Sequence, residues 1–238
     1  MKRFTFLSFL IVLFSCSSNS QTYSNLKPKD FKAEIEQNAG IILDIRTPNE
    51  VSTGQIENAS TIDFYDKNFK DKIAKIQKDK TVYVYCKSGG RSSKAAQLLV
   101  EAGQSKVINL QGGIMAWKRA GYVLTSFDNT QDSNIQEFSI SDFNTVLSEN
   151  NIVLVDFHTL WCAPCRKMAP MIDALEKDYE SKVSISRVDL DKSGELADQY
   201  KIVAVPTLVL FQDGKEIWRN TGLLSKEELV NVLEKQLN

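Results

Sequence analysis

Val155-Asp156-Phe157-His158-Thr159-Leu160-Trp161-Cys162-Ala163-Pro164-Cys165-Arg166 decides how the second half of the chain is read. Its first residues close an apolar run, Ile152 to Phe157, with the length and composition of a buried strand. Its last residues open a pattern in which Met168, Met171, Ile172, Leu175 and Tyr179 share one face, so a helix is expected over Cys165 to Tyr179. Two cysteines separated by two residues at a helix start can close a small disulfide ring. The first sulfur lies over free backbone N–H groups and the positive end of the helix dipole, which lowers its pKa. Cys162 is therefore expected to be the exposed, attacking thiolate. Cys165, one turn further in, is expected to be the resolving thiol. A zinc site would have to recruit carboxylates, because there is no second cysteine pair and His158 is the only histidine. No metal is expected.

Further along the chain, Val183 to Val188 reads as a strand. Thr207 to Phe211 and Lys215 to Arg219 read as a hairpin around Asp213-Gly214. Ser225-Lys226-Glu227-Glu228 has the form of a capping box opening a last helix. Toward the N-terminus, residues 126–136 lose the apolar pattern and read as a linker. Before it, Ile41 to Ile45, Val82 to Tyr85 and Val107 to Leu110 read as strands. Ser92 to Ala102 reads as a helix, with Gly103 as the residue just past its end. Strand and helix in alternation imply a parallel sheet wrapped by helices. The whole chain is thus expected to be α/β, with two domains at 26–125 and 137–238.

The arithmetic agrees. A chain of 238 residues holds two domains of ordinary size, and 42% apolar residues suffice for two cores. A formal charge of −1 argues against a nucleic-acid partner held by bulk electrostatics. A single histidine excludes multi-histidine metal centres.

Cys86-Lys87-Ser88-Gly89-Gly90-Arg91 lies between the strand ending at Tyr85 and the helix near Ser92. That is the carboxyl-end crevice of an α/β sheet, where ligands bind. Two glycines let the loop curl so that its N–H groups point inward. Helix onset and Arg91 add positive potential. Such a cradle stabilises a thiolate, and equally a persulfide on Cys86.

With these residues on view, the segment 155–170 resembles the thioredoxin active site almost residue for residue. Val205-Pro206-Thr207 resembles that family's cis-proline loop, and Asn220-Thr221-Gly222 its glycine segment. The resemblance implies a thioredoxin fold with a central mixed sheet, and a substrate-binding role for Pro206. It also implies a buried carboxylate at Asp156 that relays the proton of Cys165. His158 and Ala163 depart from the common pattern within reach of Cys162, and Arg187 stands where the family often carries lysine. The first half resembles the rhodanese family. Asp44-Ile45-Arg46-Thr47-Pro48-Asn49-Glu50 looks like its early element and Leu110-Gln111-Gly112-Gly113-Ile114-Met115-Ala116-Trp117 its closing one. A protein phosphatase would place five residues between cysteine and arginine; here there are four, which suits a sulfane sulfur rather than phosphate.

Residues 1–15 form a basic start and an apolar run, as in an export signal, and Leu13-Phe14-Ser15-Cys16 resembles a bacterial lipobox. By that resemblance Cys16 carries lipid, 16–25 is a tether, and the protein is periplasmic and held at a membrane of the cell envelope by its anchor. The expected function follows. Cys86 accepts sulfur from thiosulfate or a persulfide, and the Cys162-Cys165 dithiol reduces persulfides or protein and small-molecule disulfides. The alternative is a thiol-disulfide oxidoreductase whose first domain only docks. No nucleotide fingerprint is present, so no cofactor is expected and electrons must come from an external donor.

Overall fold

The computed structural model describes residues 23–126 and 137–237. The expected export signal, Cys16 and the expected linker beyond Ser126 lie outside the described residues.

The first domain runs β1 (Ser24–Leu26), α1 (Pro28–Gln37), β2 (Gly40–Asp44), α2 (Pro48–Val51), β3 (Ser60–Thr61), α3 (Phe69–Ala74), β4 (Thr81–Tyr85), α4 (Gly90–Glu101), β5 (Lys106–Leu110) and α5 (Gly113–Arg119). Its five strands are all parallel, in the order β1-β5-β4-β2-β3. Prolines start α1 and α2, where a missing N–H costs nothing, and Thr47 with Glu50 forms a capping box on α2. Successive residues of β4 serve opposite faces. Val82, Val84 and Cys86 join Ile41, Leu43, Ile45, Ile73 and Leu99 on one side, while Tyr83 and Tyr85 join Phe31, Ile114 and Trp117 on the other. Both faces are covered, which is why these strands read as unbroken apolar runs. One boundary differs from expectation. Ser24 and Asn25, read as tether, belong to β1 and pair with Ile108 and Asn109.

The second domain runs α6 (Ile140–Glu149), β6 (Ile152–His158), α7 (Ala163–Asp178), β7 (Ser184–Asp189), α8 (Gly194–Gln199), β8 (Thr207–Gln212), β9 (Lys215–Thr221) and α9 (Lys226–Leu237). The sheet order is β7-β6-β8-β9, with β6 and β7 parallel and β8 antiparallel to both its neighbours. Asp213 and Gly214 both have positive φ, as the tight hairpin turn requires. Ser225 and Glu228 make the reciprocal bonds of the capping box. Helix α7 starts two residues earlier than expected, because Cys162 itself is its N-cap.

The loop after β2 is held by a buried ion pair. Arg46 donates from Nε and Nη2 to the Asp44 carboxylate, from Nη1 to the Glu50 carbonyl and from Nη2 to the Gly54 carbonyl. Its guanidinium also lies 5.8 Å from the centre of the Tyr85 ring, one residue before Cys86. Removing one partner of such a pair leaves an uncompensated buried charge. Asp44→Ala is therefore expected to lower the stability of the first domain by about 3–5 kcal/mol, read from the denaturant midpoint of its unfolding transition.

Candidate active sites

Cys86 is placed by the end of β4 and the turn into α4. Its Sγ accepts the N–H of Gly89 at 3.1 Å and the hydroxyl of Ser92 at 3.4 Å. Burial pushes the thiol pKa up. The Ser92 hydroxyl and the N–H groups of Ser92, Ser88 and Gly89 outweigh that, so the group ionises below its ordinary value. Gly89 has φ of 99°, as the curl of the loop needs. A second loop props up the first. Ile114 and Met115 donate their N–H groups to the carbonyls of Cys86 and Lys87. Gly113, with φ of 59°, approaches so closely that a Cβ there would lie 2.4 Å from the Cys86 carbonyl oxygen. Lys87, Ser88 and Gly90 are exposed, while Cys86 itself is buried, with 1% of its surface accessible.

Arg91 behaves differently from expectation. It lies within electrostatic reach of Cys86, but its hydrogen bond and ion pair go to Glu50, at 2.9 and 2.8 Å. The guanidinium holds Glu50 down at about pH 2 in pKa, so Arg91 arrives at the loop with its countercharge already beside it. The anionic sulfur is therefore stabilised chiefly by N–H and O–H donors rather than by a bare cation. Ser92, whose hydroxyl is one of these donors, and the buttress Gly113 were not singled out as site residues. A hydroxyl in the first turn of the helix that follows a cysteine loop is the signal that finds Ser92.

The dithiol sits at the start of α7 as a Cys162–Cys165 disulfide. The Cys162 sulfur accepts the Cys165 N–H at 3.1 Å, the helix-start geometry expected of it. The peptide bond Val205-Pro206 is cis, as the resemblance implies. Asp156 is buried on β6 directly opposite Arg187 of β7, whose Nε is 3.5 Å from the carboxylate. Arg187 also reaches Asp173 at 3.6 Å. His158 ends β6, buried. Burial, and then the charge of Arg187, lower its pKa to about 3, so it is a neutral imidazole at physiological pH and brings no charge to the dithiol.

One expectation is overturned. Cys162 is not exposed: both Cys162 and Cys165 are only 2% accessible. The first domain covers them. Thr61 of β3 donates its N–H to the carbonyl of Trp161 at 3.1 Å, and Ala163 donates its N–H to the hydroxyl of Ser60 at 3.0 Å. The apolar cluster that contains Cys86 also contains Trp161, Cys162 and Val205, so one core runs through the contact between the domains. Cys86 itself is further off. β3 is the edge strand, and β2 separates it from β4. Two strand spacings amount to roughly 10 Å. Among the described residues no hydrogen bond or disulfide joins Cys86 to the dithiol. Among the described residues, no group of His, Cys, Asp and Glu side chains has the arrangement of a metal site.

Comparison with known proteins divides the chain in the same way. A thioredoxin family model matches residues 134–235 and a rhodanese-like domain model matches residues 27–120. A thioredoxin of Staphylococcus aureus is 38% identical over 97 residues, which are 41% of this chain and 92% of that protein. Among solved structures, the N21Q mutant thioredoxin from Halobacterium salinarum is 31% identical, covering 44% of this chain and 88% of its own, with a TM-score of 0.40. Oxidised thioredoxin from Plasmodium falciparum is 30% identical, covering 42% and 94%, with a TM-score of 0.39.

The donor set around Cys86 sets a pH dependence. A thiol held below its ordinary pKa stays ionised to lower pH, and its reactivity falls only as pH drops through the lowered value. With the dithiol kept oxidised, Ser92→Ala is expected to shift the pH profile of Cys86 alkylation upward. The rate at pH 7 should fall roughly three- to tenfold, as read by mass spectrometry of the Cys86 peptide. An unshifted profile would leave the backbone N–H groups as the sole cause.

Proposed function

The chain belongs to the thioredoxin family and carries a rhodanese-like domain ahead of its dithiol, and from that premise we propose that it joins sulfur transfer at Cys86 to reduction at Cys162 and Cys165. The second domain is a thioredoxin-type disulfide reductase. The observation that carries the rest is the Cys86 sulfur, which accepts two hydrogen bonds in the loop between β4 and α4 and has a lowered pKa.

The steps balance as follows. The Cys86 thiolate attacks the outer sulfur of thiosulfate. The S–S bond breaks and sulfite leaves with its electron pair, so Cys86 holds a persulfide whose anion takes the same N–H groups. The Cys162 thiolate attacks the outer sulfur of that persulfide, moving the sulfur to itself and returning Cys86 as a thiolate. The Cys165 thiolate then attacks the Cys162 sulfur. Hydrosulfide leaves, and the two-electron oxidation of the dithiol is recorded as the Cys162–Cys165 disulfide. An external dithiol donor restores the reduced form. A protein or small-molecule disulfide enters the same dithiol by the same attack and resolution. Asp156, on the strand beneath the dithiol, is assigned the proton of Cys165, and Pro206 the positioning of an extended substrate.

A second reading has its own support. The hydrogen bond that Ser60 accepts from Ala163 and the one that Thr61 donates to Trp161 suit a first domain that docks without catalysing. One experiment separates the two. After exposure to thiosulfate or polysulfide, Cys86 is expected to gain one sulfur by mass spectrometry. Cys86→Ser is expected to abolish sulfur transfer to cyanide while insulin reduction survives. No Cys86 persulfide with any such donor would favour the docking reading.

We also place the protein in the bacterial cell envelope, periplasmic and anchored by lipid on Cys16. This rests on the basic start, the apolar run and Leu13-Phe14-Ser15-Cys16. Cys16→Ala is expected to move the protein to the soluble periplasmic fraction. Membrane retention of that variant would contradict the anchor.

A further inference from the structure

We infer that the first domain is a built-in occupant of the dithiol's own docking face, so that a protein substrate must displace it before it can reach Cys162. The first domain engages the segment that carries the dithiol, the cis-proline loop and the glycine segment. On the loop before α7, Trp161 accepts from Thr61 and Ala163 donates to Ser60. Just inside α7, Arg166 donates from Nη2 to the carbonyl of Ala59 at 2.9 Å. On the cis-proline loop, the N–H of Val205 donates to the carbonyl of Lys75 at 3.1 Å. On the glycine segment, Gln77 packs so tightly that a Cβ on Gly222 would fall 2.7 Å from its Nε2. An extended polypeptide binding beside the dithiol would need these same backbone donors and acceptors, as strand addition to a free edge does.

The contact is pinned at one side by charge. Lys72 of α3 lies 3.1 Å from the carboxylate of Asp191, and Asp191 in turn accepts from Trp161 Nε1 at 3.4 Å. Lys75 Nζ reaches the carbonyl of Leu190 at 3.5 Å. None of these bonds uses a sulfur atom, so reducing the disulfide removes none of them. The cover therefore persists in the reduced, attacking form. It acts as a competitor in the same chain: folded protein disulfides react in proportion to the fraction of time the domains are apart. The same separation is what lets Cys162 travel to Cys86. The inference rests only on the disulfide-reductase part of the function.

The test is the rate at which iodoacetamide labels Cys162 in the fully reduced, full-length chain, followed by peptide mass spectrometry. Ser60→Ala removes the acceptor of the Ala163 N–H and is expected to speed labelling by about fivefold, the worth of one net hydrogen bond. Lys72→Glu sets a carboxylate against Asp191, and against Asp66 of its own domain, and is expected to speed it at least as much. Combining Lys72→Glu with Asp191→Lys restores the attraction and is expected to slow labelling again toward the wild-type rate. Insulin reduction should follow the same order. Wild-type labelling as fast as in both single variants would overturn the inference, and so would a charge swap that fails to slow it. Because the readout does not involve Cys86, loss of the sulfur-transfer reading leaves this result standing, and the reverse also holds.

Discussion

Backbone N–H groups at the start of a helix, turned toward a cysteine sulfur, are the constraint from which both halves of this chain are built. In each half a buried strand delivers a cysteine to the first turn of a helix. Cys162 is the N-cap of α7 and accepts the Cys165 N–H. Cys86 comes just before α4 and accepts from Gly89 and Ser92. A sulfur anion there is neutralised by fixed dipoles that need no reorganisation when it forms. The rest of each fold serves that placement. Gly113 packs against the loop around Cys86, the ion pair of Asp44 with Arg46 holds the loop after β2, and the mixed sheet carries the dithiol and the cis-proline loop.

The two sites differ in what surrounds them. Around Cys86, which is buried, the loop exposes Lys87, Ser88 and Gly90. The dithiol lies under the first domain, joined by main-chain bonds and a continuous apolar cluster. On the inference above, use of the dithiol depends on domain separation. Under the proposed function, the domain that covers Cys162 is also the one that presents the persulfide of Cys86.

Much of this was legible locally. The strand, dithiol and helix from Ile152 onward follow from apolar periodicity and spacing. Asp213-Gly214, Ser225 with Glu228 and Gly103 each announce a backbone conformation that side-chain chemistry dictates. The early strand β1 and the edge strand β3 were not legible, because two or three residues carry no periodicity. The pairing of Arg91 with Glu50 spans 41 positions and leaves no local pattern. The cover over the dithiol was hidden for a different reason. Ala59, Thr61 and Lys75 act through carbonyl and N–H groups, which every residue type possesses, so no motif marks them. The exposure expected of Cys162 was a property of an isolated helix start, and tertiary contact overrode it.

The central claim is that sulfur passes from the first site to the second within one molecule. The most direct measurement is single-turnover sulfide release from the full-length chain carrying a Cys86 persulfide and a reduced dithiol, with no added thiol. The account predicts one hydrosulfide per chain, one Cys162–Cys165 disulfide formed in step with it, and a rate independent of protein concentration. Sulfide release no faster than from a chain lacking Cys162 would contradict it, as would a rate that rises in proportion to concentration.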